Sequence, residues 1–256
     1  MIDRNAPIAV FDSGVGGISV LRMLRRLLPE EHFLYYGDTA NAPYGTRSTT
    51  EVLQLTMAAA EKLLAHNAKA LVIACNTATA AAIRTLRETY PETIIIGIEP
   101  ALKLAADHYP QARVGVLATP LTLREEKFSH LQDRFPEMSV TAIPLPGLVE
   151  QIEQGSSDDR LEQFLRPTLA PYTGKLDAVV LGCTHYPFAA RAIRRILGTD
   201  TAILDGAEGT ARETQRRLQA ADLLARGEGA LEFLCSGDPQ DFTERCLALL
   251  AQQPTE

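Results

Sequence analysis

This 256-residue chain has no basic cluster: Asp and Glu outnumber Lys and Arg by 32 to 25, and the formal charge of -7 is spread along the whole sequence. That disfavours a binder of the nucleic-acid backbone, which needs a patch of neutralising cations, but leaves room for a small anion held by local backbone N–H groups. Long apolar runs are missing too. The longest uncharged stretch, Ala70 to Ile83, is broken by Asn76, Thr77 and Thr79 and falls short of the ~20 residues that a membrane-crossing helix needs. The opening Met1-Ile2-Asp3-Arg4-Asn5-Ala6-Pro7 lacks the cationic start and apolar core of a secretory leader, so it reads as the start of a soluble mature chain. Cysteine is scarce, with four residues and no dense spacing. That usage fits free thiols in a reducing cytoplasm rather than a disulfide scaffold.

Short β-rich apolar runs alternate with helical patterns along almost the whole length, which predicts an α/β fold with parallel strands. The runs are Ile8–Phe11, Phe33–Tyr36, Leu71–Ala74, Ile94–Ile98, Val114–Leu117, Val140–Ile143, Ala178–Leu181 and Ala202–Leu204. Helical spacing marks Ile18–Leu28, Glu51–Ala65, Ala80–Tyr90, Leu121–Arg134, Phe188–Leu197, Gly209–Leu224 and Gln240–Gln252. The eight runs fall into two sets of four at offsets of 106, 107, 108 and 108 residues. The expectation is two similar open, mainly parallel-sheet α/β domains, 1–97 and 98–206, facing each other across a central cleft. C-terminal helices in 207–256 return to the first domain.

Ligands of open parallel sheets bind beyond the carboxyl ends of the strands, so the residues just after each run are the candidates. The third runs of the two sets end in Cys75-Asn76-Thr77 and Cys183-Thr184-His185. A lone cysteine at a strand end is ordinarily a small buried hydrophobe. Two at equivalent positions, in polar loops before helical patterns, suggest thiols whose ionisation is eased by helix N-termini. Cys235 and Cys246 lack such a context and read as structural. A Cys75–Cys183 disulfide conflicts with the reducing compartment and with a cleft wide enough for a ligand. Zinc on Cys75, Cys183 and His185 has no CxxC or HExxH behind it. The Gly14-Val15-Gly16-Gly17 turn is not a dinucleotide fingerprint, because Ser19 stands where the third glycine or alanine belongs.

Two opposed thiols, one ionised and one protonated, suit removal of a proton from one face of a carbon and its return to the other, which is racemisation or epimerisation. Pyridoxal phosphate, the usual electron sink for an amino-acid α-carbon, needs a lysine. The five lysines, Lys62, Lys69, Lys103, Lys127 and Lys175, all lie outside the strand-end motifs, so no cofactor is expected. Asp12 and His185 are candidates to orient or relay protons for the thiols; the plain alternatives are a turn cap and a hydrogen-bonded crevice residue. Ser13, Asn76, Thr77 and Thr184 are candidates to hold the charged groups of a small amino acid, and Tyr44 and Gly45, in the turn-rich loop from Gly37 to Gly45, to close over it.

Taken together, Phe11-Asp12-Ser13-Gly14-Val15-Gly16-Gly17, Gly37-Asp38-Thr39 with Pro43-Tyr44-Gly45, Ala74-Cys75-Asn76-Thr77-Ala78-Thr79 and Gly182-Cys183-Thr184-His185-Tyr186-Pro187 resemble, in this order, the glutamate branch of the cofactor-independent aspartate/glutamate racemase superfamily. The resemblance covers nearly the whole chain. It implies interconversion of L- and D-glutamate for peptidoglycan synthesis in a bacterial cytoplasm by a homodimer, and composition and motif spacing add the expectation of no metal, nucleic acid or membrane. It implies that Cys75 takes the α-proton from D-glutamate with help from Asp12, and that Cys183 acts on L-glutamate with help from His185. Glu153, in the segment Pro146 to Glu153, corresponds to a glutamate that supports the second thiol. Asp12, Ser13, Tyr44, Gly45, Asn76, Thr77, Thr184 and His185 correspond to substrate contacts. Aspartate racemisation, or amino-acid binding without catalysis on the same scaffold, are the alternatives.

Overall fold

In the computed structural model, which describes residues 3–109, 111–125, 128, 130 and 133–252, the chain divides into two compact units. The first runs to Glu99 and resumes at Ala207; the second is Pro100–Gly206.

The first unit holds strands β1 (Ile8–Asp12), β2 (His32–Gly37), β3 (Ala70–Ile73), β4 (Ile94–Gly97) and β9 (Ala230–Cys235), in the sheet order β4-β3-β1-β2-β9. All pairs are parallel. β1 and β3 are wholly buried, as their unbroken apolar sequences require of strands covered on both faces. Helices α1 (Ile18–Leu27), α2 (Thr49–Leu64) and α3 (Asn76–Thr89) make the crossovers. α2 starts at a capping box in which Ser48 accepts the Glu51 N–H while the Glu51 carboxylate accepts the Ser48 N–H.

The second unit holds β5 (Arg113–Ala118), β6 (Ser139–Pro144), β7 (Ala178–Leu181) and β8 (Ala202–Asp205), ordered β6-β5-β7-β8 and again all parallel. Its described helices are α4 (Leu102–His108), α5 (Pro120–Arg124), α6 (Leu148–Glu153), α7 (Asp158–Leu169) and α8 (Ala190–Leu197). Leu161, Leu165 and Leu169 of α7 pack with Ile193, Ile196 and Leu197 of α8 on one face of this sheet. On the other face, Leu102 and Ala105 of α4 pack with Val114, Val116, Ala178 and Val180.

The internal repeat is a repeat of register. Ile8 pairs with Phe33 and Ala70, and Ala70 with Ile94; in the second sheet Val114 pairs with Val140 and Ala178, and Ala178 with Ala202. The sequence offsets of 106, 107 and 108 therefore map each residue onto its structural counterpart.

Three expectations are corrected. The C-terminal segment is not purely helical: between α9 (Ala207–Ala220) and α10 (Pro239–Ala251) it inserts β9, which extends the first sheet beside β2. Helix α3 begins at Asn76, four residues before the expected Ala80, because the Cys75 sulfur caps it. The expected helix Leu121–Arg134 is broken at Glu125, whose backbone is extended at ψ 139°: Pro120–Arg124 forms α5, Phe128, His130 and Asp133 are helical beyond the break, and positions 126, 127, 129, 131 and 132 lie outside the described residues.

Candidate active site

In the first unit the site residues collect at the carboxyl ends of β1, β2 and β3. The Ala74 N–H donates to the Phe11 carbonyl at 2.7 Å, extending the β1–β3 ladder by one bond and delivering Cys75 to the strand end. Cys75 is the N-cap of α3, and its Sγ accepts the Ala78 N–H at 3.4 Å. The positive end of a 14-residue helix thus faces the sulfur, which favours thiolate. Ser13 Oγ lies 3.6 Å from the same sulfur. Asp12 ends β1 with no exposed surface, and its Oδ1 accepts the Gly14 N–H at 2.8 Å. A Cβ on Gly17 would lie 2.7 Å from the Asp12 Cβ and 2.8 Å from the Tyr35 hydroxyl, so only glycine lets α1 start against Asp12.

Asn76 and Thr77 form the first turn of α3, and both are buried. Neither the Asn76 Nδ2 nor its Oδ1 has a hydrogen-bond partner among the described residues, although Asn76 is only 5% exposed. Leaving a buried amide donor and acceptor unpaired costs about 1–3 kcal/mol per group, so the Asn76 amide holds hydrogen-bonding capacity that the fold does not use. Tyr44 and Gly45 lie in a 3-10 turn after β2. The Tyr44 ring is buried, and its hydroxyl donates to Asp38 Oδ2 at 2.6 Å. Burial above all, then the Asp38 hydrogen bond and charge and the Cys75 sulfur, hold the Tyr44 phenol far above its ordinary pKa. It stays a donor throughout the neutral range.

In the second unit the Gly182 N–H donates to the Leu117 carbonyl at 2.7 Å, the counterpart of the Ala74 bond, and delivers Cys183 to the end of β7. A Cβ at Gly182 would approach the Ala118 Cβ to 2.9 Å and the Leu117 oxygen to 3.1 Å, which explains the glycine. Cys183 is not a helix cap: a 3-10 turn, Tyr186–Ala189, with His185 as its N-cap, separates it from α8, and Pro187 stands in that first turn. The expectation of matching helix N-termini is thus met at Cys75 alone. Cys183 has an imidazole instead, with His185 Nδ1 3.9 Å from its sulfur. His185 Nε2 is 2.8 Å from Glu153 Oε1, which fixes the ring. With Nε2–H donated to the carboxylate, Nδ1 faces the thiol as a proton acceptor. His185 and Thr184 are buried at 2% and 3% exposure.

The remaining cysteines stand apart in chemistry. Cys246, buried in α10, has its thiol pushed up to about 12, chiefly by burial, and Cys235 ends β9 half-buried. Among the described residues no group of three or more His, Cys, Asp or Glu side chains is disposed to hold a metal ion, and no helix is long and apolar enough to cross a membrane. Asp38 follows β2 directly, where strand-end candidates are expected, but its bond to Tyr44 spans a loop without periodicity and is not legible in the spacing.

Paired parallel sheets, each ending its third strand in a thiol among acid, base and hydroxyl groups, define a class. The chain belongs to the Asp/Glu/hydantoin racemase family, whose pattern matches residues 14–214. Within that family, relatives that share nearly half of its residues are glutamate racemases. The one from Clostridium perfringens (strain SM101 / Type A) is 48% identical over 246 residues, covering 94% of this chain and 95% of that protein. The crystal structure of the Thermus thermophilus glutamate racemase in complex with β-chloro-D-alanine superposes with a TM-score of 0.84 at 39% identity, over 99% of this chain and 96% of that one. That of the Francisella tularensis enzyme in complex with D-glutamate gives 0.85 at 28% identity, over 98% and 96%.

Proposed function

We propose that this chain interconverts L- and D-glutamate by two-thiol proton transfer at the α-carbon, without a cofactor. The observation that carries the reading is the equivalence of Cys75 and Cys183 at matching strand ends, each beside groups that manage its proton. In one direction the Cys75 thiolate removes the α-proton of D-glutamate and the Cys183 thiol donates a proton to the opposite face, giving L-glutamate. In the other direction the roles exchange. Each turnover leaves the donor as thiolate and the acceptor as thiol, so no net proton is consumed.

Asp12 assists Cys75; His185, oriented by Glu153, assists Cys183. Ser13, Tyr44, Gly45, Asn76, Thr77, Thr184 and His185 bind substrate. The unspent donor and acceptor of the Asn76 amide support this, because an α-amino acid offers a carboxylate to the first and an ammonium to the second. The relative from Francisella tularensis, crystallised with D-glutamate, supports the choice of substrate. The resemblance extends the reading to a homodimer in a bacterial cytoplasm that supplies D-glutamate for peptidoglycan, and the internal repeat extends it to two domains, 1–97 with 207–256 and 98–206.

Proton NMR of the purified, reduced protein with enantiopure D-glutamate in D₂O, without pyridoxal phosphate, tests this. The expected result is loss of the α-proton signal with appearance of the L-isomer. Exchange with aspartate alone would reassign the substrate, and a folded protein that exchanges neither would overturn the reading in favour of binding without catalysis.

A further inference from the structure

The sequence motifs single out Tyr44, but the structure shows what holds it. Asp38 follows β2 directly, is 4% exposed, and receives three hydrogen bonds from its own loop: one from the Tyr44 hydroxyl at 2.6 Å and two from Asn41 Nδ2, at 3.0 Å to Oδ1 and 3.2 Å to Oδ2. Its backbone N–H donates to the Asp12 carbonyl at 3.0 Å, so the carboxylate is mounted on the strand end that carries Asp12. The loop between them is braced from outside: Arg47 Nε donates to the Asn41 carbonyl at 2.8 Å, and the Ala40 N–H donates to Ser236 Oγ, just past β9, at 3.0 Å. The far end of the loop is Tyr44, whose ring packs on Phe11 with centroids 6.3 Å apart and whose phenol feels the Cys75 sulfur. A buried carboxylate that accepts a short bond from a phenol fixes both partners, because charge-assisted bonds of this length are strongly directional.

We propose that Asp38 is a positioning residue for the reaction: through its hydrogen bond to Tyr44 it sets the placement of Tyr44-Gly45 near Cys75, and so tunes substrate binding and access to that thiol. The inference deepens the glutamate reading and rests on it for its kinetic part alone. Asp38 acts through Tyr44 rather than on thiol or substrate. Of its three bonds, the one from the Tyr44 hydroxyl is the one that Tyr44→Phe also removes, so the effect of losing Asp38 includes the effect of losing that hydroxyl.

Three variants of the full chain test this: Asp38→Ala, Asp38→Asn and Tyr44→Phe, each checked for folding by circular dichroism. The first readout needs no substrate. Alkylation of the native protein by iodoacetamide, followed peptide by peptide in a mass spectrometer, should be several-fold faster at Cys75 in Asp38→Ala and Tyr44→Phe than in the parent, with the Cys183 peptide unchanged. Asp38→Asn keeps an oxygen that accepts the phenol and should restore the parent rate. The second readout is kinetic: KM for glutamate should rise about tenfold in Asp38→Ala with a smaller change in kcat, and Asp38→Ala combined with Tyr44→Phe should be no worse than the worse single variant. A folded Asp38→Ala that leaves both the Cys75 rate and KM unchanged, or single effects that multiply in the double variant, would overturn the proposal. A parent protein inactive on glutamate would sink the substrate reading while the alkylation result still decides the role of Asp38.

Discussion

Lys69 and Glu31 form an ion pair shut off from water: their Nζ and Oε2 are 2.5 Å apart, and the two side chains are 0% and 2% exposed. The lysine also donates to the carbonyls of Arg4 and, at 2.9 Å, Leu223, while Glu31 Oε1 accepts the Ala225 N–H at 2.9 Å. The pair ties the segment before β1 to the turn after α9. Removing one partner strands the other as a buried charge, which costs about 3–5 kcal/mol, whereas apolar replacement of both is close to neutral. Lys69→Met should therefore lower stability in urea unfolding by about that amount, and Lys69→Met with Glu31→Leu should recover most of it.

Cys75→Ser and Cys183→Ser should each reduce racemisation by at least about 10²–10⁴-fold, the worth of a positioned acid or base, because serine does not ionise near neutral pH. Cys235→Ser, outside the thiol pair, should leave the rate unchanged. Chiral analysis of product from both enantiomers checks all three, with circular dichroism confirming the fold.

Asn76→Ala removes an amide that has no partner among the described residues. Its loss should leave the melting temperature unchanged or raised, since no internal hydrogen bond is broken, while KM for glutamate rises by about tenfold or more. A fall in stability with KM unchanged would mean that the amide serves the fold.

Arg113 and Asp177 join the starts of β5 and β7: Nη2 to Oδ1 is 2.7 Å, and the Arg113 backbone N–H reaches Oδ2 at 2.8 Å. These bonds, the guanidinium's first, hold the Asp177 carboxyl at about 2, below its ordinary 3.8. A depressed carboxylate stabilises the fold above its unfolded-state value, and that contribution disappears as pH falls from about 4 to 2. The gap in stability between parent and Asp177→Asn should be constant at neutral pH and close over that acid window. Both side chains are about half exposed, so solvent screening keeps the gap small.

The Cys246 thiol, pushed up to about 12, is protonated at pH 8. It should resist iodoacetamide in the native protein and react on addition of urea, because the thiolate is the nucleophile and burial suppresses it.

The repeated half of the fold was readable because its strands are short, apolar and spaced alike: Ile8, Phe33 and Ala70 keep their partners when moved to Val114, Val140 and Ala178. Among the described residues β9 has no counterpart in the second sheet, and Ala230–Cys235 lies between two helical patterns that mask its alternation. α7 carried a usable signal in Ser157 followed by Leu161, Leu165 and Leu169, whereas the six-residue α6 is too short to show a period. At the site, cysteine pairing pointed to the two strand ends at which the structure gathers polar groups around a thiol. The sulfur cap on α3 and the bond from Tyr44 to Asp38 depend on loop paths that spacing does not encode.

Because the first unit stops at Glu99 and resumes at Ala207, the second unit is an insertion within it. During synthesis the ribosome delivers all of Pro100–Gly206 before β9 exists. The later unit is thus complete in the nascent chain while the earlier one still exposes the edge of β2, the strand that β9 will cover. Completion of the first sheet therefore waits for the chain to return from the second unit.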